Sequence, residues 1–117
     1  MKPAERDLAH LWDMLDAAKA IAGFVRGIDR EAYRQNRMMQ LAVERCLQAI
    51  GESPTRISDL LEAAHPEIPW AKIISQRNVL AHQYGAINQN RPWRVAIDDV
   101  PLLIEQLSRL VPVAPEH

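Results

Sequence analysis

The sequence contains few of the residues typical of secreted, membrane-bound and β-rich proteins. Its 117 residues include one cysteine, four glycines and 5% aromatic residues. A lone Cys46 forms no internal disulfide, which favours a reducing compartment. Scarce aromatic residues disfavour β-sheets. No apolar run approaches the roughly 20 residues of a membrane span, and the opening MKPAERDLAHLW lacks the apolar segment of a signal peptide. We therefore expect a cytoplasmic protein without membrane association.

Several kinds of catalytic site are also missing from the sequence. The histidines His10, His65, His82 and His117 form no HxxxH or HExxH pair and have no cysteine partner, so no metal site is expected. A GxSxG elbow and a glycine-rich phosphate loop are both absent. Cys46 lies among apolar residues, where thiols are usually inert. We expect no cofactor, and the formal net charge of −1 disfavours a general nucleic-acid coat protein.

What the sequence does contain is helical periodicity along most of its length. With 48% hydrophobic and 25% charged residues, it predicts one all-α domain over residues 1–117, with a tail from about residue 112. Five helices are expected: residues 4–26; about 30–51, from Asp29 as N-cap to Gly51; from Ser53–Pro54 to His65; from Pro69 to Gly85; and a last one capped by Asp98 or Asp99. Residues 86–96 are predicted to be a polar connection broken at Pro92. This pattern indicates an antiparallel bundle of four to five helices.

The most informative stretch is Gln76–Tyr84, QRNVLAHQY, in the fourth predicted helix. The apolar residues Trp70, Ile73, Leu80 and Tyr84 follow one helical stripe, and Arg77 falls in a gap of that stripe. A buried charge without a partner loses several kcal/mol of hydration, so Arg77 requires a partner.

The residue types in this stretch suit cleavage of RNA without a metal. The guanidinium of Arg77 matches phosphate oxygens, the imidazole of His82 can move a proton near neutral pH, and the amide of Asn78 can orient either group. A base would deprotonate a ribose 2′-hydroxyl, which attacks the adjoining phosphate while a cation stabilises the developing charge. A purely structural reading is also open: Arg77 could pair with Glu44 or Glu52, and His82 could be a core residue.

A second basic feature lies at the start of the second predicted helix. Spacings of four, four and three residues would place Arg26, Arg30, Arg34 and Arg37 on one stripe that could grip a phosphate backbone. A solvated helix face with Asp29 and Glu31 interleaved is the alternative. Eleven of the fourteen basic residues are arginine, which leans toward phosphate or carboxylate recognition.

These residues resemble those of a known family. RNVLAHQY resembles the R-x4-H-x-Y motif of HEPN-domain proteins, in the form found in the HepT-like (DUF86) branch. The similarity continues through LQAIGES, ISDLLEAAHPEIPWAKIISQRN and HQYGAINQNRPWRVAIDDVPLLIEQL, in the order and spacing of that branch from about residue 40 to 110.

The resemblance implies a HEPN-like bundle that forms a homodimer with two motifs in a shared cleft. It implies a metal-independent endoribonuclease, the toxin of a type VII-like toxin–antitoxin pair. Its antitoxin would be a minimal nucleotidyltransferase of the MNT type. Arg77 and His82 match the catalytic pair, Asn78 matches the polar residue after the arginine, and Tyr84 matches the tyrosine that the transferase AMPylates. The alternatives are a non-catalytic HEPN module that binds a nucleotide or the transferase, and a plain helical adaptor.

Overall fold

Every regular element that the structure describes is helical. The structure is a computed structural model, and it describes residues 5–75 and 90–111. In chain order its elements are α1 (Glu5–Val25), α2 (Arg30–Arg34), α3 (Arg37–Glu52), a 3₁₀ helix (Ser53–Arg56), α4 (Asp59–Ala64), α5 (residues 70–75), α6 (Asn90–Arg94), a π-helical turn (Val95–Asp99) and α7 (Val100–Leu110). No strand occurs in these two ranges, and the predicted all-α class is confirmed.

The long helix α1 is the centre of the packing, because both α3 and α7 lie against it. Its side chains at Leu11, Met14, Ala18 and Ile21 are fully buried. They recur at three- and four-residue steps, so one face of α1 is apolar along its whole length. The predicted first helix is confirmed to within one residue at each end.

The second predicted helix is wrong as a single element, since it is divided into α2 and α3. Asp29 caps α2 as expected, and its carboxylate accepts the N–H of Ala32 at 2.8 Å. Asn36 then adopts an extended backbone and caps α3 by accepting the N–H of Met39. The buried amide of Gln40 donates to the carbonyls of Tyr33 and Arg34, both at 3.0 Å. The Arg34 carbonyl at the end of α2 gains a donor in this way, and the Tyr33 carbonyl, which also accepts the N–H of Asn36 at 3.1 Å, gains a second one.

The next junction also differs from the prediction. Gly51 does not end α3, which continues through Glu52 into the 3₁₀ helix. Ser53 caps nothing there, because its hydroxyl donates back to the carbonyl of Ala49. The N-cap of α4 is Ser58, whose Oγ accepts the N–H of Leu61 at 3.3 Å.

A carboxylate of α1 holds that cap in place. Asp7, 5% exposed, accepts the N–H of Ser58 at 3.0 Å and its hydroxyl at 2.7 Å. The hydrogen bond from the Ser58 hydroxyl, more than any other contact, lowers the pKa of Asp7 below its usual value. The start of α1 and the start of α4 are thereby joined across 51 residues of sequence.

Residues 90–96, predicted as a polar connection, are helical in the structure. Pro92 lies in the first turn of α6, where a missing N–H costs no helical hydrogen bond. The helix then widens into the π-helical turn, which ends as the N–H of Val100 donates to the carbonyl of Val95. Pro101 follows in the first turn of α7, as predicted. Asp99 occupies the N-cap position of α7 without a capping hydrogen bond from its side chain.

Helical spacing of apolar residues predicts one buried face on α3 and one on α7, and the structure confirms these faces in part. Val43, Leu47 and Ile50 of α3 are buried, as are Leu103 and Leu107 of α7. The apolar spacing of α3 and α4 also predicts Met38 and Leu60 in the core, and this is wrong, because Met38 is 81% exposed and Leu60 is 68% exposed. None of the described helices is both long enough and apolar enough to cross a membrane.

Candidate functional site

The residues predicted to carry the chemistry lie outside the described ranges. Arg77, Asn78, His82 and Tyr84 all fall between residues 75 and 90. The structure instead describes the two helices that flank this stretch in the chain, α5 before it and α6 after it.

Helix α5 confirms the first half of the predicted apolar stripe. Trp70 and Ile73 are buried at 8% and 7% exposure. The indole N–H of Trp70 donates to the carbonyl of His65 at 3.0 Å and fixes the ring at the start of the helix. The positions that continue this stripe, Leu80 and Tyr84, lie outside the described residues.

A group of buried polar side chains lies where α2, α3 and α6 meet. Tyr33 is fully buried, and its ring centroid lies 5.1 Å from that of Trp93. Burial, with the charge of Glu44 adding to it, raises the pKa of Tyr33 to about 12. Gln40 and Glu44 are each 6% exposed. Sequence reasoning did not place Gln40 inside, because a polar residue on α3 gives no signal of burial by itself.

The burial of Glu44 bears on the alternative reading of Arg77. Of the two carboxylates considered as its partner, Glu44 is buried and Glu52 is exposed. A buried carboxylate is stabilised by a cation or by hydrogen bonds. Glu44 is therefore the better of the two candidates, and its pairing with Arg77 remains a prediction.

The four arginines predicted to form one stripe lie on three different segments. Arg26 follows α1, Arg30 and Arg34 belong to α2, and Arg37 begins α3. The four arginines therefore do not form the predicted single stripe, because one helix ends at Arg34 and the next begins at Arg37. Arg34 lies 4.0 Å from the exposed Glu31, and Arg37 donates to Gln40. Their binding of RNA is untested and remains a prediction.

Arg30 has a different role from the one its spacing suggested. Its Nε donates to the side-chain oxygen of Asn90 at 3.1 Å, which ties α2 to α6. This bond joins residues 60 positions apart and directs the Arg30 guanidinium toward the helix that follows the motif.

Two clefts surround Asn90, and sequence reasoning missed both. The larger, about 390 Å³, is lined by Lys72, Arg91, Arg94 and Asp98, among others. The smaller, about 180 Å³, lies on the Arg30 side and shares Asn90, Arg94 and Asp98 with it. The three-residue spacing of Arg91 and Arg94 was an available signal, since it places both on one helical face. This signal was missed because a break, and no helix, was predicted at Pro92, between the two arginines.

The described residues hold no group of three or more His, Cys, Asp or Glu side chains arranged as a metal site would require. Cys46 is half-buried, and burial raises the pKa of its thiol above the usual value. It is therefore protonated at neutral pH and a poor nucleophile.

Comparison with known proteins agrees with the family resemblance. The family described as "Ribonuclease HepT-like" matches residues 14–110. "Putative RNase MJ1380" of Methanocaldococcus jannaschii is 31% identical over 89% of this chain and 96% of its own length. "Probable ribonuclease HepT" of Thermococcus cleftensis is 32% identical over 94% of this chain and 98% of its own. No solved structure matches significantly. Because the family match covers most of the sequence and these relatives are more than 30% identical over nearly their whole length, the chain belongs to the HepT-like ribonuclease family.

Proposed function

We propose that this protein is a metal-independent endoribonuclease and the toxin of a HepT/MNT-type toxin–antitoxin pair. The observation that carries the proposal is the family match over residues 14–110, a range that contains the whole R-x4-H-x-Y motif. Relatives over nearly the same length are named as ribonucleases.

The proposed reaction is an internal transesterification of RNA. His82 accepts the proton of a ribose 2′-hydroxyl, and the resulting oxygen attacks the adjoining phosphorus. The bond from phosphorus to the 5′-oxygen of the next nucleotide breaks, and a protonated group returns a proton to that oxygen. The products are a 2′,3′-cyclic phosphate and a 5′-hydroxyl.

Arg77 and Asn78 have supporting roles in this mechanism. The guanidinium of Arg77 donates to the non-bridging phosphate oxygens, whose negative charge grows in the transition state. Asn78 orients the reacting groups. We further propose that the buried Glu44 orients Arg77, in agreement with its 6% exposure on α3. Structural and catalytic readings of Arg77 are then compatible.

A homodimer would bring two copies of His82 together, so that one acts as the base and the other as the acid. The described surface offers apolar side chains for such an interface. Met38 and Leu41, one turn apart on α3, are 81% and 50% exposed. Contact between two copies through this face would remove both side chains from water.

Regulation is proposed to occur at Tyr84. The MNT-type antitoxin would transfer AMP from ATP. The phenolic oxygen of Tyr84 bonds to the α-phosphorus, the bond from that phosphorus to the oxygen bridging to the β-phosphate breaks, pyrophosphate leaves, and the phenolic proton passes to solvent. The added phosphate would bring negative charge close in sequence to Arg77 and compete with RNA. Mass spectrometry after co-expression with the transferase should locate AMP on Tyr84, and adducts confined to other residues would contradict this.

The catalytic proposal is tested with purified protein and RNA in excess chelator. Wild-type protein should cleave, whereas Arg77→Ala and His82→Ala should each lower the rate by at least about a hundredfold. Arg109→Ala is the matched control, because Arg109 is an exposed arginine that pairs with Glu105 on α7. Cleavage that survives both motif substitutions would refute the mechanism. Binding without cleavage would favour the non-catalytic module.

A further inference from the structure

The helix that follows the motif carries two arginines with no ion-pair partner among the residues that the structure describes. Arg91 and Arg94 are both exposed on α6, and neither lies within 4.0 Å of a described carboxylate oxygen. They line the larger cleft beside Asn90. Exposed guanidinium groups of this kind are open to an external anion.

The other charges of the cleft do not cancel these two. Lys72 also lines the larger cleft, and its ammonium is 3.6 Å from the Asp99 carboxylate, so these two charges neutralise each other. Asp98 is the remaining carboxylate of the lining. The surface therefore keeps an excess of positive charge.

Arg30 extends this positive surface onto α2. Its Nε is engaged by Asn90, which leaves the two terminal nitrogens of the guanidinium as further donors. The smaller cleft contains Arg30 and Arg94 together, and the larger one contains Arg94 and Arg91. Three guanidinium groups from two helices thus follow one continuous surface.

We propose that Arg30, Arg91 and Arg94 form a binding surface for the phosphate backbone of the RNA substrate. Arginine donates two parallel hydrogen bonds to a phosphate, and successive arginines can contact successive phosphates. The surface differs from the predicted stripe, because it crosses from α2 to α6 where the stripe followed one helix. The inference rests on the proposed ribonuclease function, since it names where that enzyme holds its substrate.

The covalent chain keeps this surface close to the motif. Tyr84 lies six residues before Asn90 in the sequence, and His82 lies eight residues before Asn90. An extended chain covers at most about 3.5 Å per residue, so His82 lies within about 28 Å of Asn90 in any conformation. A single RNA strand of several nucleotides can therefore contact both.

The residue composition of the arginine surface favours RNA over a protein as its binding partner. Protein interfaces usually bury a core of aromatic and aliphatic side chains. Among the described lining residues of the two clefts, Ile97 is the one exposed large apolar side chain, at 41%. Trp93 is half-buried and its ring packs on Tyr33.

The test measures binding of a labelled single-stranded RNA in which every ribose is 2′-O-methylated. This probe cannot be cleaved, because it lacks the attacking hydroxyl. Arg91→Gln/Arg94→Gln should weaken binding about tenfold or more. Loss of two phosphate contacts should also reduce the slope of log affinity against log salt by about 1.4. On cleavable RNA, the same variant should raise KM with little change in kcat.

The control is Arg6→Gln/Arg56→Gln, which removes the same charge from exposed arginines outside both clefts. Its affinity should stay within about twofold of wild type. Equal weakening by both double variants would show a general charge effect and overturn the inference. So would unchanged RNA binding by the Arg91/Arg94 variant, with or without lost binding of the transferase. In both cases, wild-type cleavage would leave the proposed function standing. Wild-type protein that neither binds nor cleaves RNA would refute both.

Discussion

Single polar residues inside the molecule determine where its elements meet, and Asp7 is the plainest example. Its carboxylate receives two hydrogen bonds from Ser58, the N-cap of α4. Asp7→Ala should therefore lower the free energy of unfolding by about 1–2 kcal/mol at pH 7. Chemical denaturation measures this, with Asp13→Ala on the exposed face of α1 as control, expected within about 0.5 kcal/mol of wild type.

The pH dependence of that difference follows from the lowered pKa of Asp7. A carboxyl group with a lower pKa in the folded state stabilises the fold fully above its unfolded pKa, about 3.9. The contribution is lost as the pH falls through the folded-state value. The gap between wild type and Asp7→Ala should hence be constant above about pH 5 and shrink in more acidic solution. A gap that widens on acidification would contradict this assignment.

Tyr33 gives a spectroscopic prediction at the same scale. The chain has two tyrosines, so Tyr84→Phe leaves Tyr33 as the sole phenol. Ultraviolet titration of that variant should show ionisation near pH 12, because burial raises the pKa to about 12. Since the unfolded phenol ionises near pH 10, stability should fall as the pH rises above 10. Ionisation near pH 10 in the folded protein would show that the ring is not buried.

At the scale of elements, the break between α2 and α3 depends on Gln40. Its amide satisfies two carbonyl groups at the end of α2. Gln40→Ala should cost about 1–2 kcal/mol of unfolding free energy, because two hydrogen bonds are lost and the partly buried Arg34 carbonyl loses its side-chain donor. Gln35→Ala is the matched control: Gln35 bonds Glu31 on the exposed surface, so its loss should cost under about 0.5 kcal/mol. Equal effects would show that Gln40 does not hold the junction.

The helices themselves were largely predictable, and their junctions were not. Apolar periodicity placed α1, the start of α5 and most of α7, because the repeat of buried residues lies in the sequence itself. The break at Asn36 depends on the side chain of Gln40, which donates to the carbonyl of Tyr33 seven residues earlier, and no local sequence pattern predicts that contact. Ser53 and Ser58 both suit an N-cap, and a distant carboxylate, Asp7, favours Ser58.

The candidate site was also predictable only in part. The motif was recognisable from the identity and spacing of residues 77–84, and the family that it suggested is confirmed by the match over residues 14–110. The surface formed by Arg30, Arg91 and Arg94 could not be recognised in the sequence, because it requires α2 and α6 to lie side by side. The contact between Arg30 and Asn90 spans 60 residues, and only the packed molecule reveals it.

At the scale of the whole molecule, the proposed dimer predicts a role for the exposed face of α3. Met38→Lys/Leu41→Lys should convert a dimer to a monomer, because two charges would be buried in the interface. Sedimentation measures the change, and Leu60→Lys, at a 68% exposed position on α4, should leave the dimer intact. A dimer that survives the α3 double substitution would place the interface elsewhere. A monomeric wild type would refute the dimer.

The central claim is metal-independent cleavage of RNA by Arg77 and His82, and its most direct test is the chemistry of the product ends. RNA treated with purified protein in excess chelator should carry 2′,3′-cyclic phosphate and 5′-hydroxyl termini, with neither formed by His82→Ala. Cleavage that requires an added divalent cation, or that leaves a 5′-phosphate, would contradict the account.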